Sequence, residues 1–232
     1  GQFAQRIGGG FLVGGLASSR RECPQLAREV VEGGLSGVLF STRVGASTRL
    51  TQGCSPISER QIVSKAEGNL IYEIDGRPAV EALAAAAGEL LMRNPRELGG
   101  RVFVGFPIAG TDTGDYLVRN LVGLDLDAGV VAVGERVEAG QPMLFCRRDA
   151  DAAHEDLARM VSELKRSMSG PPRGAVYFSC LARGPNLFGP NSAELRQVQE
   201  ALGGIPLVGF FANGEISHDR LYAYTGVLTV FS

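Results

Sequence analysis

Tryptophan is absent from these 232 residues, and histidine occurs only twice. Aromatic residues make up 7% of the chain, and its Tyr and Phe residues do not interleave with Lys or Arg. That excludes a stacking platform for single-stranded nucleic acid. Charge of one sign is also missing: 23 basic residues face 25 acidic ones, for a net charge of -2. No electrostatic case for a nucleic-acid or anionic-membrane partner follows. No apolar run is long enough to cross a bilayer, and no signal peptide is visible at the start. The four cysteines, Cys23, Cys54, Cys146 and Cys180, are scattered without a CxxC pair. This argues against both a zinc site and a disulfide scaffold and makes a reducing cytoplasm the expected home. Nothing in the spacing asks for a metal or a cofactor.

What is present is an ordinary globular balance, 44% apolar and 21% charged, with length enough for one large domain or two small ones. Apolar runs predict strands over 11–15, 37–41, 61–64, 70–74, 102–106, 116–122, 130–133 and 143–146. The last four read as a strand followed by an antiparallel meander. Residues 24–32 are polar and irregular, with room for a short helix. Pro78 suits a first helical turn, followed by an apolar face of Ala79, Val80, Leu83, Ala84, Ala87, Leu90 and Leu91. A second helix is predicted over 152–168, with Ala153, Leu157, Met160, Val161, Leu164 and Met168 as its stripe and Gly170-Pro171-Pro172 as its stop. Asp75-Gly76 reads as turn chemistry. In the strand at 116–122, either Arg119 or Asn120 must face inward. Leu12-Val13-Gly14 echoes Leu207-Val208-Gly209, and 37–41 echoes 226–232. This suggests an internal repeat whose first copy lacks its front. The expected class is therefore mixed α/β (α+β): two related units with mixed sheets flanked by helices, the first incomplete; if the repeat is real, the chain begins inside a domain.

The stretch from Gly174 to Ser217 carries the chemistry. A run of Ala175-Val176-Tyr177-Phe178 ends in Ser179-Cys180, and a turn-rich loop holds Arg183 and Gly184. A helix follows, which Asn191 can cap while Glu194 reaches back to the Asn191 N–H. A second run, 206–211, then closes in Asn213-Gly214-Glu215. Strand, helix, strand reads as a right-handed crossover with parallel strands, so both tips emerge on one side of the sheet. Polar groups at that place are where α/β proteins bind ligands. Arg183 is suited to a carboxylate, Glu215 to an ammonium group, and Asn213 to neutral polar groups. Such a pair would grip an amino-acid-like zwitterion, or else the two would brace each other. With Arg183 at a strand tip, Arg183→Ala is expected to fold normally. Cys180 raises the alternative of a cysteine hydrolase, which needs a neighbouring base. His218, with Asp219 beside it, is the candidate, since His154 lies off the apolar stripe of its helix.

The segments Phe178-Ser179-Cys180-Leu181-Ala182-Arg183-Gly184 and 206–216 resemble the signature of the FIST family, with Ala182 where a glycine is usual. Tyr116-Leu117-Val118-Arg119-Asn120 followed by Gly123, Phe145-Cys146-Arg147-Arg148-Asp149, and Glu73-Ile74-Asp75-Gly76-Arg77-Pro78-Ala79 resemble it too. The Gly14-Gly15 strand matches the end of the family's N-terminal part. The resemblance implies the end of an N-terminal FIST unit over 1–78 and a C-terminal FIST unit over 79–232. FIST domains are sensory-type modules of bacterial signalling proteins and of some eukaryotic F-box proteins. They are proposed to bind small molecules, amino acids among them, and no reaction is implied. The expected function is thus a cytoplasmic, non-enzymatic ligand-sensing domain that passes its signal to a protein partner. Its ligand-binding residues would be Cys180, Arg183, Asn213, Glu215, Arg119 and Asn120. An interaction or adaptor module is the alternative.

Overall fold

The computed structural model describes residues 6, 10–19, 22–88, 98–108 and 115–232. They form two compact units: residues 1–53 with 150–232, and residues 54–149. In the first unit the chain lays down β1 (Val13–Gly15), a hairpin of β2 (Pro24–Ala27) and β3 (Glu29–Glu32), and β4 (Ala46–Gln52). The hairpin stands where a short helix has room in the sequence. Its tight connection holds Arg28 at φ 66°, and Leu26, Val30 and Val31 supply β-branched and aliphatic strand formers.

The second unit contains β5 (Cys54–Pro56), β6 (Gln61–Glu67), β7 (Leu70–Ile74), β8 (Arg77–Pro78), α1 (Ala79–Ala87), β9 (Val102–Pro107), β10 (Tyr116–Asp125), β11 (Val130–Val133) and β12 (Pro142–Arg148). Asp75 and Gly76, at φ 49° and 73°, make the two-residue β7–β8 turn, the positive-φ pair that a tight hairpin requires. Strands β9, β10 and β11 run as an antiparallel meander. β12 does not extend it past β11 but returns beside β9 and β6. The order β11-β10-β9-β12-β6-β7 closes on itself through β11–β7 pairing, a six-stranded barrel. Closure removes free edges. Val63, Ile71, Val104, Phe106, Val131, Val133, Met143 and Phe145 fill the core with Ala79, Ala82 and Leu83 of α1. Leu90 and Leu91, expected on the α1 face, lie outside the described residues.

The chain then returns to the first unit with α2 (Ala150–Ser167), β13 (Gly174–Cys180), α3 (Pro185–Phe188), α4 (Ala193–Ala201), β14 (Leu207–Ala212), β15 (Glu215–Ser217), β16 (Arg220–Tyr222) and β17 (Thr225–Phe231). The four-stranded sheet has the order β14-β13-β17-β4. β13 and β14 are parallel, as the crossover predicts, with Cys180 opposite Ala212. The helices cover one face, where Leu157, Met160 and Leu164 of α2 and Val198 of α4 pack on Ala175, Tyr177, Leu228 and Val230. A small sheet, β1-β15-β16, stands separately.

The fold class is mixed α+β, with mixed sheets and flanking helices. The echo between Leu12-Val13-Gly14 and Leu207-Val208-Gly209 does not mark equivalent strands. β1 pairs with β15 in the three-stranded sheet, while β14 lies at the edge of the four-stranded one. Residues 37–41 form no strand, whereas β17 is an interior one. Short V, L and G words reflect β-propensity, and it is pairing that assigns their place.

Candidate functional site

β13 alternates with Ala175, Tyr177 and Ser179 facing the helices. That places two hydroxyls, two residues apart, in the interior, where each needs a partner. Glu194, in the first turn of α4, supplies it. Its Oε1 accepts hydrogen bonds from the Tyr177 hydroxyl and from Arg183 Nε, each at 2.7 Å. Its Oε2 accepts from Ser179 Oγ at 3.0 Å and from the Gly184 amide at 3.2 Å. The capping box predicted from Asn191 and Glu194 does not form: Ser192 precedes the helix with no side-chain cap, and Glu194 turns inward to the arginine. Burial pushes the Tyr177 phenol well above its usual range, so Tyr177 remains a neutral donor.

Arg183 is 0% exposed and is one of the largest fully buried side chains of the described chain. It therefore belongs to the core and not to a solvated strand tip. Three local devices seat it. Gly184 (φ 49°) turns the chain, and any Cβ there would lie 2.6 Å from the Phe211 ring. Pro185 then opens α3, a position where its missing N–H costs nothing, and Phe188 of that helix lies under the guanidinium, 4.8 Å from ring centroid to Cζ. The third device is Gly53, just past β4. A Cβ there would come within 2.7 Å of the Tyr224 carbonyl and 3.1 Å of Arg183 Nη1. Asp156 of α2 fixes that end of β4 through Thr51 Oγ1 (2.9 Å) and the Gln52 amide (2.7 Å).

Glu215 is likewise 0% exposed. β15 is paired on both sides, to β1 and β16, which holds its backbone rigidly. Its Oε2 accepts from Thr225 Oγ1 at 2.8 Å and from the Thr225 amide at 3.3 Å. Burial pushes its carboxyl up to about 7, against the opposing pull of Thr225, the Gly214 amide and the Arg183 charge. Among the described residues no ion pair joins Arg183 to Glu215, so the two do not simply brace each other. Three buried polar atoms here make no hydrogen bond of normal distance and angle, Arg183 Nη1, Arg183 Nη2 and Glu215 Oε1, although the Tyr177 hydroxyl and the Gly214 amide lie near enough to act on the two charged groups.

Cys180 lies under the same influence. Burial and then the Glu215 charge raise its thiol, with backbone contacts to Ala182 and Tyr224 and the Arg183 charge pulling partly back. A raised, buried thiol is a poor nucleophile. The bonds of both histidines go elsewhere. His218 pairs with Asp219 at 3.0 Å on the exposed surface and stacks near Phe11, while His154 bonds Gln197 at 3.0 Å and packs on Phe188. Native-state labelling with iodoacetamide is expected to modify Cys23, the one half-buried cysteine, well before Cys54, Cys146 and Cys180. Rapid labelling of Cys180 would contradict this description.

The structure thus brings together Cys180, Arg183 and Glu215 in the first compact unit. Asn213 is exposed, its amide donating to the Leu16 carbonyl at 3.0 Å. Arg119 and Asn120 belong to the second unit. There Arg119 Nε donates to Glu135 at 2.7 Å, half-buried, and Asn120 is exposed. Sequence reasoning missed Glu194, Gly53 and Thr225. The inward hydroxyls of Tyr177 and Ser179 are the signal for Glu194, because two buried hydroxyls beside a buried arginine call for an acceptor. Gly53 and Thr225 are distant in sequence and carried no such signal.

Comparison with known proteins identifies the family of the chain. A model of the FIST N domain matches residues 2–77, and one of the FIST C domain matches residues 79–218. The boundary between them falls inside the second compact unit. An uncharacterized protein of Mycobacterium tuberculosis is 37% identical over 238 residues, which covers 96% of this chain and 61% of that protein. An uncharacterized protein of Mycobacterium bovis is 34% identical over 237 residues, with the same shares covered. The chain thus spans about three fifths of the length of the curated relatives it matches. FIST domains are associated with sensing in signal transduction and are not known as an enzyme family. Among the described residues no helix is long and apolar enough to cross a membrane.

Proposed function

The chain belongs to the FIST family, and we propose that it is the cytoplasmic ligand-sensing part of a bacterial signal-transduction protein, without enzymatic activity. Its ligand is a small zwitterionic, amino-acid-like molecule held between Arg183 and Glu215. The observation that carries the reading is the set of buried polar atoms without a normal hydrogen bond, Arg183 Nη1 and Nη2 and Glu215 Oε1. A buried polar group without a hydrogen bond costs about 1–3 kcal/mol, more when charged. Two charged side chains left incomplete in one buried cluster are therefore better explained by a guest that completes them. A carboxylate suits the two free guanidinium nitrogens, since Nε is already spent on Glu194. An ammonium suits the free carboxylate oxygen. Cys180 would line the cluster without reacting.

A thermal-shift screen of amino acids and related metabolites tests this. A ligand at 100 times its Kd stabilises by about 2.7 kcal/mol through mass action. The shift is expected for zwitterions and is expected to vanish in Glu215→Gln, which keeps shape and removes the charge. No shift with any zwitterion, or an unchanged shift in Glu215→Gln, would sink the reading. A second reading, an interaction or adaptor module, draws on the exposed apolar side chains Val208, Phe210 and Phe211. Under it, changes at those residues weaken partner binding while Glu215→Gln does not.

A further inference from the structure

β14 has the sequence of an interior strand and the position of an edge strand. Leu207-Val208-Gly209-Phe210-Phe211-Ala212 is an uninterrupted apolar run without a charge. Such runs belong to strands of parallel sheets that are buried on both faces. One edge of β14 pairs with β13, and among the described residues nothing pairs with the other. Proteins protect a true edge with lysine, proline within the strand, a bulge or brevity. Pro206, whose carbonyl accepts the Ala175 amide at 2.9 Å, guards only the start of this edge; no lysine, bulge or further proline follows within β14, which pairs with β13 in register over six residues. Its side chains are exposed on both faces: Val208 is 68% exposed, Phe210 47% and Phe211 41%.

The face of the sheet away from the helices tells the same story. By register it carries Val176, Phe178, Val208 and Phe210 together with Val227. At one end the small sheet approaches it, with Gly15 close to Phe210 and Ala212. At the other, Phe40 stacks on Phe231 at 5.1 Å. Between them Val208 and Phe210 are open. Contiguous apolar exposure of this kind marks a surface that something covers.

We infer that β14 is an interior strand of the complete protein. A segment of the same polypeptide, outside these 232 residues, adds a strand along its free edge and packs on Val208 and Phe210. A covalently linked segment is favoured over a second copy for two reasons. About two fifths of each mycobacterial relative lies outside the region that matches this chain, so relatives of this fold carry further chain. Edge-to-edge pairing of two copies of β14 would also leave the apolar face beside that edge open, whereas an added strand with its connection covers both edge and face.

The test uses the 232-residue chain and, as a separate polypeptide, the part of the Mycobacterium tuberculosis relative that lies outside the matched region. Light scattering on a sizing column gives the stoichiometry, and amide exchange over Leu207–Ala212 reports strand pairing. The expected result is a 1:1 complex in which β14 amides exchange at least about 100-fold more slowly than in the chain alone. Phe210→Lys should abolish the complex while leaving exchange in β17 and α2 unchanged. A dimer of the chain alone that Phe210→Lys dissolves would overturn the inference in favour of a second copy. A monomer whose β14 exchange does not respond to the added segment would overturn it in favour of a finished edge.

Discussion

Glu194→Ala is expected to destabilise the protein by about 3–5 kcal/mol, the cost of breaking a buried ion pair by removing one partner. Three further donors converge on the same carboxylate: the Tyr177 and Ser179 hydroxyls and the Gly184 amide. Removing it leaves a fully buried guanidinium with no anionic neighbour in hydrogen-bond contact. Arg183→Ala should fall in the same range, which reverses the expectation that its loss would spare the fold. Against a total stability of about 5–15 kcal/mol, either change consumes much of the margin. The pair does not itself require charge, however. A double replacement by apolar residues of similar volume, Arg183→Met with Glu194→Met, is expected to recover only part of the loss: neither desolvated charge is then left alone, but the Tyr177 and Ser179 hydroxyls and the Gly184 amide still lack their acceptor. Urea titration followed by amide exchange in β13 measures both. A loss below about 1 kcal/mol in Glu194→Ala would show that water reaches the guanidinium freely, contrary to its burial.

How much of this was legible in the sequence depends on the range of the interaction. The β13–helix–β14 crossover was readable because hydrophobic periodicity, turn residues and handedness are local. So were the α2 stripe and the Asp75-Gly76 turn. The pairing of β12 with β9 and the closure of the barrel through β11 and β7 were not, since a meander and a closed barrel share the same local signals. The site divides in the same way. Arg183 and Glu215 were marked by their place at strand tips, but local sequence gave Arg183 a solvated tip, and its burial depends on Gly53, about 130 positions earlier in the chain. Glu194 misled for a physical reason: a carboxylate in a first helical turn satisfies a capping rule equally well. Only the inward pair of hydroxyls on β13 argues for the other use. Arg119 and Asn120 stood out as polar residues in an alternating strand, yet that strand belongs to the other compact unit.

Glu215 gives the second large effect, one that depends on pH. Its carboxyl titrates near 7 when folded, raised from 4.5 chiefly by burial. A raised acid binds more protons in the folded state than in the unfolded one between these values. Stability therefore falls as pH rises through the window from about 4.5 to about 7 and levels off above it. At 1.36 kcal/mol per pKa unit the loss amounts to about 3 kcal/mol. Other groups add their own slopes, so the quantity to measure is the difference between the native chain and Glu215→Gln at each pH. The variant should gain about 3 kcal/mol relative to the native chain between pH 4.5 and pH 8, with most of the gain below pH 7. A pH-independent difference, or one of opposite sign, would refute the raised value. The same proton bears on the proposed ligand. An ammonium group beside Glu215 favours the ionised carboxylate, so binding below pH 7 must expel a proton. Affinity for a zwitterion should then fall by up to about tenfold for each pH unit below 7 and stay flat above it. An anionic ligand held by Arg183 alone would instead bind more tightly as Glu215 becomes neutral. The direction of that slope, read by calorimetry at pH 6 and pH 8, separates the two.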